Sequence, residues 1–381
     1  MHATTTAGDP VTGPWILVAM VSALVVTAIA TPMAGRLALA LDVVDRPNDR
    51  KVNRRSGIPL LGGLSIALGC FVGFGVALLL VEEGGEFATR VEAILMGGAL
   101  MLSLGAVDDR WGLGAIPKLV VQIVAAAVAI SAGFQIDHIS HPFSHVTWYF
   151  PNWVMWLVTT LWIVVVTNSV NLIDGLDGLC TGVSAIIAAT LTLIAWSVGL
   201  PFGVVTGTVL VGALLGFLPF NFPPARIFVG DTGALFIGYC LSLLALETYS
   251  RATLITFIIP LLALAVPLID TGLSVLRRLR RREHILKADR LHIHHRLLSE
   301  YEGSHRQAVL SLYFLTGCFC IIAVSFTRLQ GNAALVFLIV IALLTLRILR
   351  NLGFFEVEDD EVGAPALQAA DGGAPREGEA Q

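Results

Sequence analysis

The chain has 381 residues, of which 56% are hydrophobic and only 14% are charged, and its formal net charge is −4. Soluble domains carry about 25% charged residues, so this composition excludes an ordinary water-soluble protein. It predicts a polytopic membrane protein whose spanning helices each contain about 20 mostly apolar residues. The five cysteines are odd in number and form no CxxC pair, which indicates small buried side chains rather than disulfides or a zinc site.

Eleven apolar runs predict about eleven transmembrane helices and an all-α fold. The first run has no Lys or Arg before it and is too long for the core of a signal peptide, so we expect a retained helix. The third run is short, which favours tilting or local adjustment of the bilayer. The runs cover approximately residues 15–34, 60–81, 92–107, 118–135, 154–171, 180–199, 202–219, 233–249, 253–275, 308–327 and 332–349.

Loop charges set the predicted orientation, because the cytosolic loops of membrane proteins are rich in Lys and Arg. With the N-terminus outside and the C-terminus cytosolic, all of the 24 Lys and Arg residues fall on the cytosolic side except Arg90, Arg251 and Arg328. The predicted parts are an outer segment 1–14, a transmembrane domain 15–350 and an acidic cytosolic tail 351–381, which we expect to be disordered.

Polar residues at the ends of the apolar runs fall on the cytosolic side under this orientation, and acids so close to a membrane are usually functional. The first are Asp108 and Asp109, after the third run. Two adjacent carboxylates must share a cation or raise the pKa of one of them. Capping of the helix before Trp111 is the alternative interpretation.

The string NLIDGLDG, residues 171–178, places two acids three residues apart. On a helix, that spacing presents Asp174 and Asp177 on one face. The glycines between them allow a ligand or another backbone to approach closely. The alternative is an ordinary tight turn with an Asp as helix N-cap.

The string NFPPARIFVGDTG, residues 221–233, ends in Gly230 and Asp231. Gly230 can adopt a positive φ and aim Asp231 inward at the start of the next helix. Hard oxygen ligands suit Mg²⁺, which usually keeps waters and takes further oxygens from substrate phosphates. The alternative is that Asp231 is only an N-cap.

The string RLHIHHRLL, residues 290–298, places His292, His294 and His295 between two arginines. The arginines favour binding of an anion such as a diphosphate, whereas a solvated basic loop is the alternative. Carboxylates for a divalent ion and cations for phosphate are typical of phosphoryl transfer, and the membrane location indicates a lipid substrate. A transporter or lipid flippase is the alternative of another class, although the polar residues stop at one face.

Six strings resemble the polyprenyl-phosphate N-acetylhexosamine-1-phosphate transferases, a family related to the phospho-N-acetylmuramoyl-pentapeptide transferase. The resemblance covers roughly residues 15–350, and the six strings occur in the family's order. They are DRPNDRK (45–51), PLLGG (59–63), DD with KLVVQ (108–109 and 118–122), NSVNLIDGLDGL (168–179), NFPPARIFVGDTG (221–233) and HIHHRLL (292–298).

The resemblance implies roles for individual residues. Asp231 would be the metal ligand, with Asn171 as a second contributor, and Asp108 would act on the lipid phosphate with Asp109 beside it as a further catalytic residue. The remaining implied contacts to nucleotide, sugar and diphosphate are Lys118, Asn168, Asp174, Asp177, Asn221, Phe228, Gly230, His292, His294, His295 and Arg55.

The implied reaction joins UDP-GlcNAc to polyprenyl (undecaprenyl) phosphate, giving polyprenyl-diphosphate-GlcNAc and UMP, with Mg²⁺ or Mn²⁺ as cofactor. Such a step would initiate cell-envelope polysaccharide or teichoic-acid synthesis. Another UDP-N-acetylhexosamine or UDP-muramoyl-pentapeptide is the alternative donor, and an Asp acting as covalent nucleophile is the alternative route. The resemblance further implies a bacterial inner-membrane enzyme with a cytosolic active site and no nucleic-acid partner, and a homodimer is compatible with it.

Overall fold

The computed structural model describes residues 13–45, 57–81, 85–140, 147–249, 254–280, 297–298, 301, 304–327 and several positions between 333 and 347. The described part is mostly helical, as the apolar runs predict. Its helices are α1 Trp15–Ala40, α2 Gly62–Leu80, α3 Gly85–Trp111, α4 Ala115–Ser131, α5 Asn152–Leu172, α6 Leu179–Ser197, α7 Pro201–Asn221, α8 Gly230–Tyr249, α9 Leu254–Ala263, α10 Ala265–Arg280 and α11 His305–Phe326.

Four short strands correct the all-α expectation. Strands β1 (Val44–Asp45) and β2 (Ile58–Pro59) pair antiparallel, as do β3 (His138–Ser140) and β4 (Thr147–Tyr149). Segments of two or three residues are too short to leave a period-two pattern in the sequence. The first pair leads the chain from the end of α1 back to the start of α2.

Seven of the described helices are long and apolar enough to cross a membrane: α1, α2, α3, α5, α6, α7 and α11. These lengths support a polytopic membrane protein, whereas the count of about eleven spans and the orientation of the termini remain predictions. The expectation of a short third span is wrong, because α3 has 27 residues and continues through the acid pair. The ninth predicted run divides into α9 and α10, with a break after Ala263.

Close packing joins α1, α2 and α7 through small residues. A Cβ atom on Gly212 or Gly216 of α7 would lie 2.4 Å from the backbone oxygen of Met20 or Leu24 of α1. Small residues allow this approach between membrane helices, where van der Waals packing replaces the hydrophobic effect as the main attraction. Thr31 of α1 also donates a 3.0 Å hydrogen bond to Ser65 of α2.

Helix α8 lies at the centre of the bundle, against α2, α3, α5 and α6. Its side chains from Ala234 to Leu246 are almost all buried, including Tyr239 at 0% exposure. The Tyr239 hydroxyl lies within hydrogen-bonding distance of the backbone oxygens of Ala93 in α3 and Ala125 in α4, at 3.2 and 3.4 Å. This burial fixes the position of the acid at the N-terminus of α8.

A buried ion pair joins α3 to α8 at the other end of the bundle. Arg90 lies 2.8 Å from Glu247, whose side chain is 7% exposed. The guanidinium also lies over the rings of Phe134 and Phe202, at 5.7 and 5.6 Å from their centroids. Aromatic faces and a carboxylate together compensate the cation for the water it loses on burial.

The chain divides into two compact units, residues 1–331 and residues 332–381. In the second unit, the described residues between 333 and 347 are helical, as the last apolar run predicts. Among the cysteines, Cys70, Cys180, Cys240 and Cys320 are buried as expected, while Cys318 is half-buried.

Candidate active site

Four helix ends bring the predicted acids together at one end of the bundle. Asp108 and Asp109 lie in the last turn of α3, and Lys118 lies in the first turn of α4. Asn171 lies in the last turn of α5, and Asp231 lies in the first turn of α8. Residues up to 123 positions apart in the sequence therefore meet.

Lys118 stands between two carboxylates. Its ammonium group contacts Oδ2 of Asp108 and lies 3.5 Å from Oδ2 of Asp231. The side chain of Asp108 is 4% exposed, whereas that of Asp231 is 35% exposed. Asp108 is thus a buried partner of the lysine, and Asp231 is the carboxylate that a ligand can reach.

One further contact and the preceding turn hold Asp231 in place. Asn171 donates a 2.6 Å hydrogen bond from its amide nitrogen to Oδ1 of Asp231. Gly230 has a φ of +69°, which confirms the sequence prediction, and a Cβ there would meet the Leu60 carbonyl oxygen at 2.2 Å. Both the turn and the crowding require glycine.

Asp109 caps α8 from outside that helix. Its Oδ1 accepts from the backbone N–H of Asp231 at 2.9 Å. Its Oδ2 accepts from the backbone N–H of Thr232 at 3.0 Å and from the Thr232 hydroxyl at 2.5 Å. Because Asp109 satisfies the first N–H groups of α8, the side chain of Asp231 does not serve as an N-cap.

Asp174 and Asp177 lie in the turn between α5 and α6, so the prediction that they share a helix face is wrong. Gly178 has a φ of +77° and ends that turn. Asp177 accepts a 2.9 Å hydrogen bond from the backbone N–H of Ala225 and so ties the turn to the segment after α7. Burial, with the nearby carboxylates of Asp231 and Asp109, raises the pKa of Asp174 well above its usual range.

Asn221 and Phe228, two residues predicted to contact the nucleotide, make hydrogen bonds within the protein. Asn221 is 2% exposed, accepts from the Thr181 hydroxyl at 2.8 Å and donates to the Ile227 carbonyl at 3.0 Å. Its amide therefore shapes the segment that carries Phe228. Phe228 is half-buried, and its backbone N–H donates to the Pro59 carbonyl at 2.9 Å.

Asn168 pairs with a residue whose role sequence reasoning missed. Asn168 donates to Gln122 Oε1 at 2.7 Å and accepts from Gln122 Nε2 at 3.2 Å. Gln122 is 1% exposed. Its signal was present in the sequence, because a glutamine inside an apolar run needs a partner in the membrane.

Tyr313 of α11 is a second residue that the sequence did not single out. Its hydroxyl donates a 2.5 Å hydrogen bond to the carbonyl oxygen of Gly178. The tyrosine thereby fastens α11 to the turn that bears Asp174 and Asp177. Four predicted site residues lie outside the described residues: Arg55, His292, His294 and His295.

The donor set suits Mg²⁺ completed by a substrate. Within the described residues, no three His, Cys, Asp or Glu side chains are grouped closely enough to enclose a metal ion. Mg²⁺, however, is usually bound through one or two carboxylates together with waters and substrate phosphates. Asp231 and Asp108 supply hard oxygens that already share one cation, the ammonium of Lys118. This chemistry fits a magnesium diphosphate better than an enclosed protein site.

Residues 91–249 match the family described as Glycosyl transferase family 4. This region contains every described acid of the candidate site.

Named relatives extend the similarity over most of the chain. A Bacillus subtilis (strain 168) protein called "Probable undecaprenyl-phosphate N-acetylglucosaminyl 1-phosphate transferase" is 39% identical over 81% of this chain and 84% of its own length. The decaprenyl-phosphate N-acetylglucosaminephosphotransferase of Mycolicibacterium smegmatis is 34% identical over 78% of each chain. The undecaprenyl-phosphate alpha-N-acetylglucosaminyl 1-phosphate transferase of Salmonella typhimurium is 29% identical over 76% of this chain and 78% of its own length.

Proposed function

The chain belongs to glycosyl transferase family 4, and we propose that it transfers N-acetylglucosamine 1-phosphate from UDP-GlcNAc to a polyprenyl phosphate in the membrane. The names of its relatives support the sugar phosphate and the lipid acceptor. UDP as the nucleotide of the donor rests on the family resemblance. The products are polyprenyl-diphosphate-GlcNAc and UMP.

One observation carries this proposal: Lys118 lies between Asp108 and Asp231 at the end of a bundle of apolar helices. Phosphoryl transfer is catalysed mainly by positioning and by neutralising phosphate charge. A cation flanked by a buried carboxylate and an accessible carboxylate supplies both functions. A location at the helix ends suits a reaction in which a lipid phosphate meets a soluble nucleotide sugar.

The chemistry of the transfer follows from these groups. An oxygen of the lipid phosphate forms a bond to the sugar-bearing phosphorus of the donor, and the bond from that phosphorus to the UMP oxygen breaks. Asp108 accepts the proton of the lipid phosphate or orients its oxygen, and Lys118 neutralises phosphate charge. Mg²⁺, when held by Asp231 with Asn171 beside it, supplies Lewis-acid neutralisation of the diphosphate and the leaving UMP.

Other residues shape the site around these groups in the proposal. Asp109 acts as a positioning residue, since both of its oxygens bind the N-terminus of α8. Asp177 and Asn221 hold the segment that presents Phe228, the expected stacking partner of uracil. Asp174 stands close to the nucleotide in this arrangement, and Gly230 lines the same pocket.

The proposed donor is tested by direct competition. Purified protein with polyprenyl phosphate and Mg²⁺ is expected to release UMP from UDP-GlcNAc much faster than from UDP-muramoyl-pentapeptide at equal concentration. The strings HIHHRLL and SHRQAVL resemble the GlcNAc-1-phosphate branch of the family, and a pentapeptide donor needs a larger opening. Product lipids are identified by mass. Equal rates with both donors would refute the branch assignment, and absence of UMP release with either would instead favour a transporter.

The proposed location is the bacterial inner membrane, with the candidate active site on the cytosolic side and the N-terminus outside. In a variant whose five native cysteines are replaced, Tyr149→Cys on the exposed hairpin is expected to react with an impermeant maleimide added to intact cells. Ser304→Cys, at the start of α11, is expected to react only after the cells are opened. Labelling of position 304 from outside would reverse the orientation that the loop charges predict.

A further inference from the structure

Two helices converge on Asp231 and are joined by one pair of amide side chains. Helix α4 carries Lys118 and Gln122 one turn apart, and α5 carries Asn168 and Asn171 one turn apart. Lys118 and Asn171 both contact Asp231. Gln122 and Asn168 contact each other, one turn deeper in the bundle.

Apart from the contact of Lys118 with Asp108, the side chains around the first turn of α4 are largely exposed. Ile116 is 73% exposed, and Leu119 and Val120 are 45% and 53% exposed. Gln122 is the first buried residue of α4 in chain order. The buried apolar packing of α4 therefore begins beyond the amide pair. The position of the α4 backbone at Lys118 depends on that pair.

The amide pair specifies one register of α4 on α5. Each side chain donates to the other and accepts from it, at 2.7 and 3.2 Å, and Asn168 also donates to the Val164 carbonyl of its own helix at 2.7 Å. Sliding either helix by one residue would move it about 1.5 Å along its axis and turn the side chain by roughly 100°. Apolar side chains tolerate such a slip, whereas a reciprocal hydrogen-bonded pair does not.

We propose that Gln122 and Asn168 form a positioning pair that sets Lys118 and Asn171 against Asp231. The proposal rests on the transferase function above, and it replaces the direct substrate contact that the sequence predicts for Asn168. The pair touches no reacting atom. It acts through the lysine and asparagine that do contact the reactive carboxylate.

Leucine substitutions test the pair without leaving a large cavity. Gln122→Leu and Asn168→Leu are each expected to lower kcat between about 10- and 100-fold, because a displacement near 1 Å at a reacting group has that effect. The KM for UDP-GlcNAc should change little. Each single variant should lose some thermal stability, because it leaves one buried amide without its partner, whereas the double variant should keep or regain it.

Three comparisons distinguish positioning from a structural or substrate-binding role. The double leucine variant is expected to match either single variant, because each substitution removes the same interaction. The exchange Gln122→Asn with Asn168→Gln is expected to recover most of the activity. Thr31→Val is the matched control: it removes the buried hydrogen bond between α1 and α2 but leaves the amide pair intact, and it should keep wild-type kcat.

Three results would overturn the inference while the wild type is active. The first is a wild-type kcat in both leucine variants, and the second is a raised donor KM in Asn168→Leu alone. The third is a loss of activity that follows the loss of thermal stability, with no recovery of activity in the exchanged pair. An inactive wild-type protein would instead refute the proposed function and the inference that rests on it.

Discussion

Asp231→Asn is expected to abolish turnover while the protein remains folded in the membrane. Asparagine keeps the shape of the side chain but removes the negative charge that faces Lys118 and would hold Mg²⁺. The loss should reach about 10³-fold or more, which corresponds to several kcal/mol of transition-state stabilisation. The rate of UMP release at saturating Mg²⁺ measures this effect.

The matched control for that substitution is Asp137→Asn. Asp137 pairs with His138 at 2.6 Å beside the β3–β4 hairpin, which follows the end of α4 opposite to Lys118. This variant should keep normal turnover, and Mn²⁺ should support the wild-type enzyme because it too prefers oxygen ligands. Near-normal activity of Asp231→Asn would remove Asp231 from the metal site.

Asp108→Asn is expected to lower kcat by at least about 10²-fold, the usual contribution of a positioned acid or base. The KM for UDP-GlcNAc should change much less, since Asp108 is assigned to the lipid phosphate. Asparagine can still accept the 2.7 Å hydrogen bond from the backbone N–H of Leu113, so folding should be preserved. Unchanged kcat with a raised donor KM would place Asp108 in nucleotide binding instead.

Substitution of Asp109, the neighbour of Asp108, is expected to have a different effect. Asp109→Asn offers one acceptor oxygen to α8 where the carboxylate offers two, so part of the cap is lost. We expect a fall of about 1 kcal/mol in the free energy of unfolding, as for other lost helix caps. A lower melting temperature in Asp109→Asn, with none in Asp108→Asn, would separate the two roles within one pair.

The sequence predicted most helices because their apolar runs are long and because the Gly and Pro residues that end them act locally. Gly199 and Pro201 correctly separate α6 from α7, and Gly230 adopts the positive φ expected before Asp231. The end of α3 was misplaced, because the charged pair at 108–109 looked like the start of a loop. The two strand pairs were missed, since segments that short carry no periodic signal.

The candidate site was predictable in its members but not in its connections. Charge and predicted side of the membrane grouped Asp108 and Asp231, and the family resemblance added Lys118, before any geometry was known. The partners of Asp109 and Asn168 lie more than a hundred and more than forty residues away, respectively. Such pairings depend on how each helix is rotated about its axis, which one sequence does not encode locally.

Helices α3 and α8 are fastened to each other at both ends. Asp109 binds the N-terminus of α8, and Arg90 binds Glu247 near its C-terminus. A sliding motion of one helix past the other would have to break both attachments at once. We therefore expect the two helices to move as one unit. Movements that admit substrates and release products are therefore expected in the segments around these two helices, while Asp231 keeps its position.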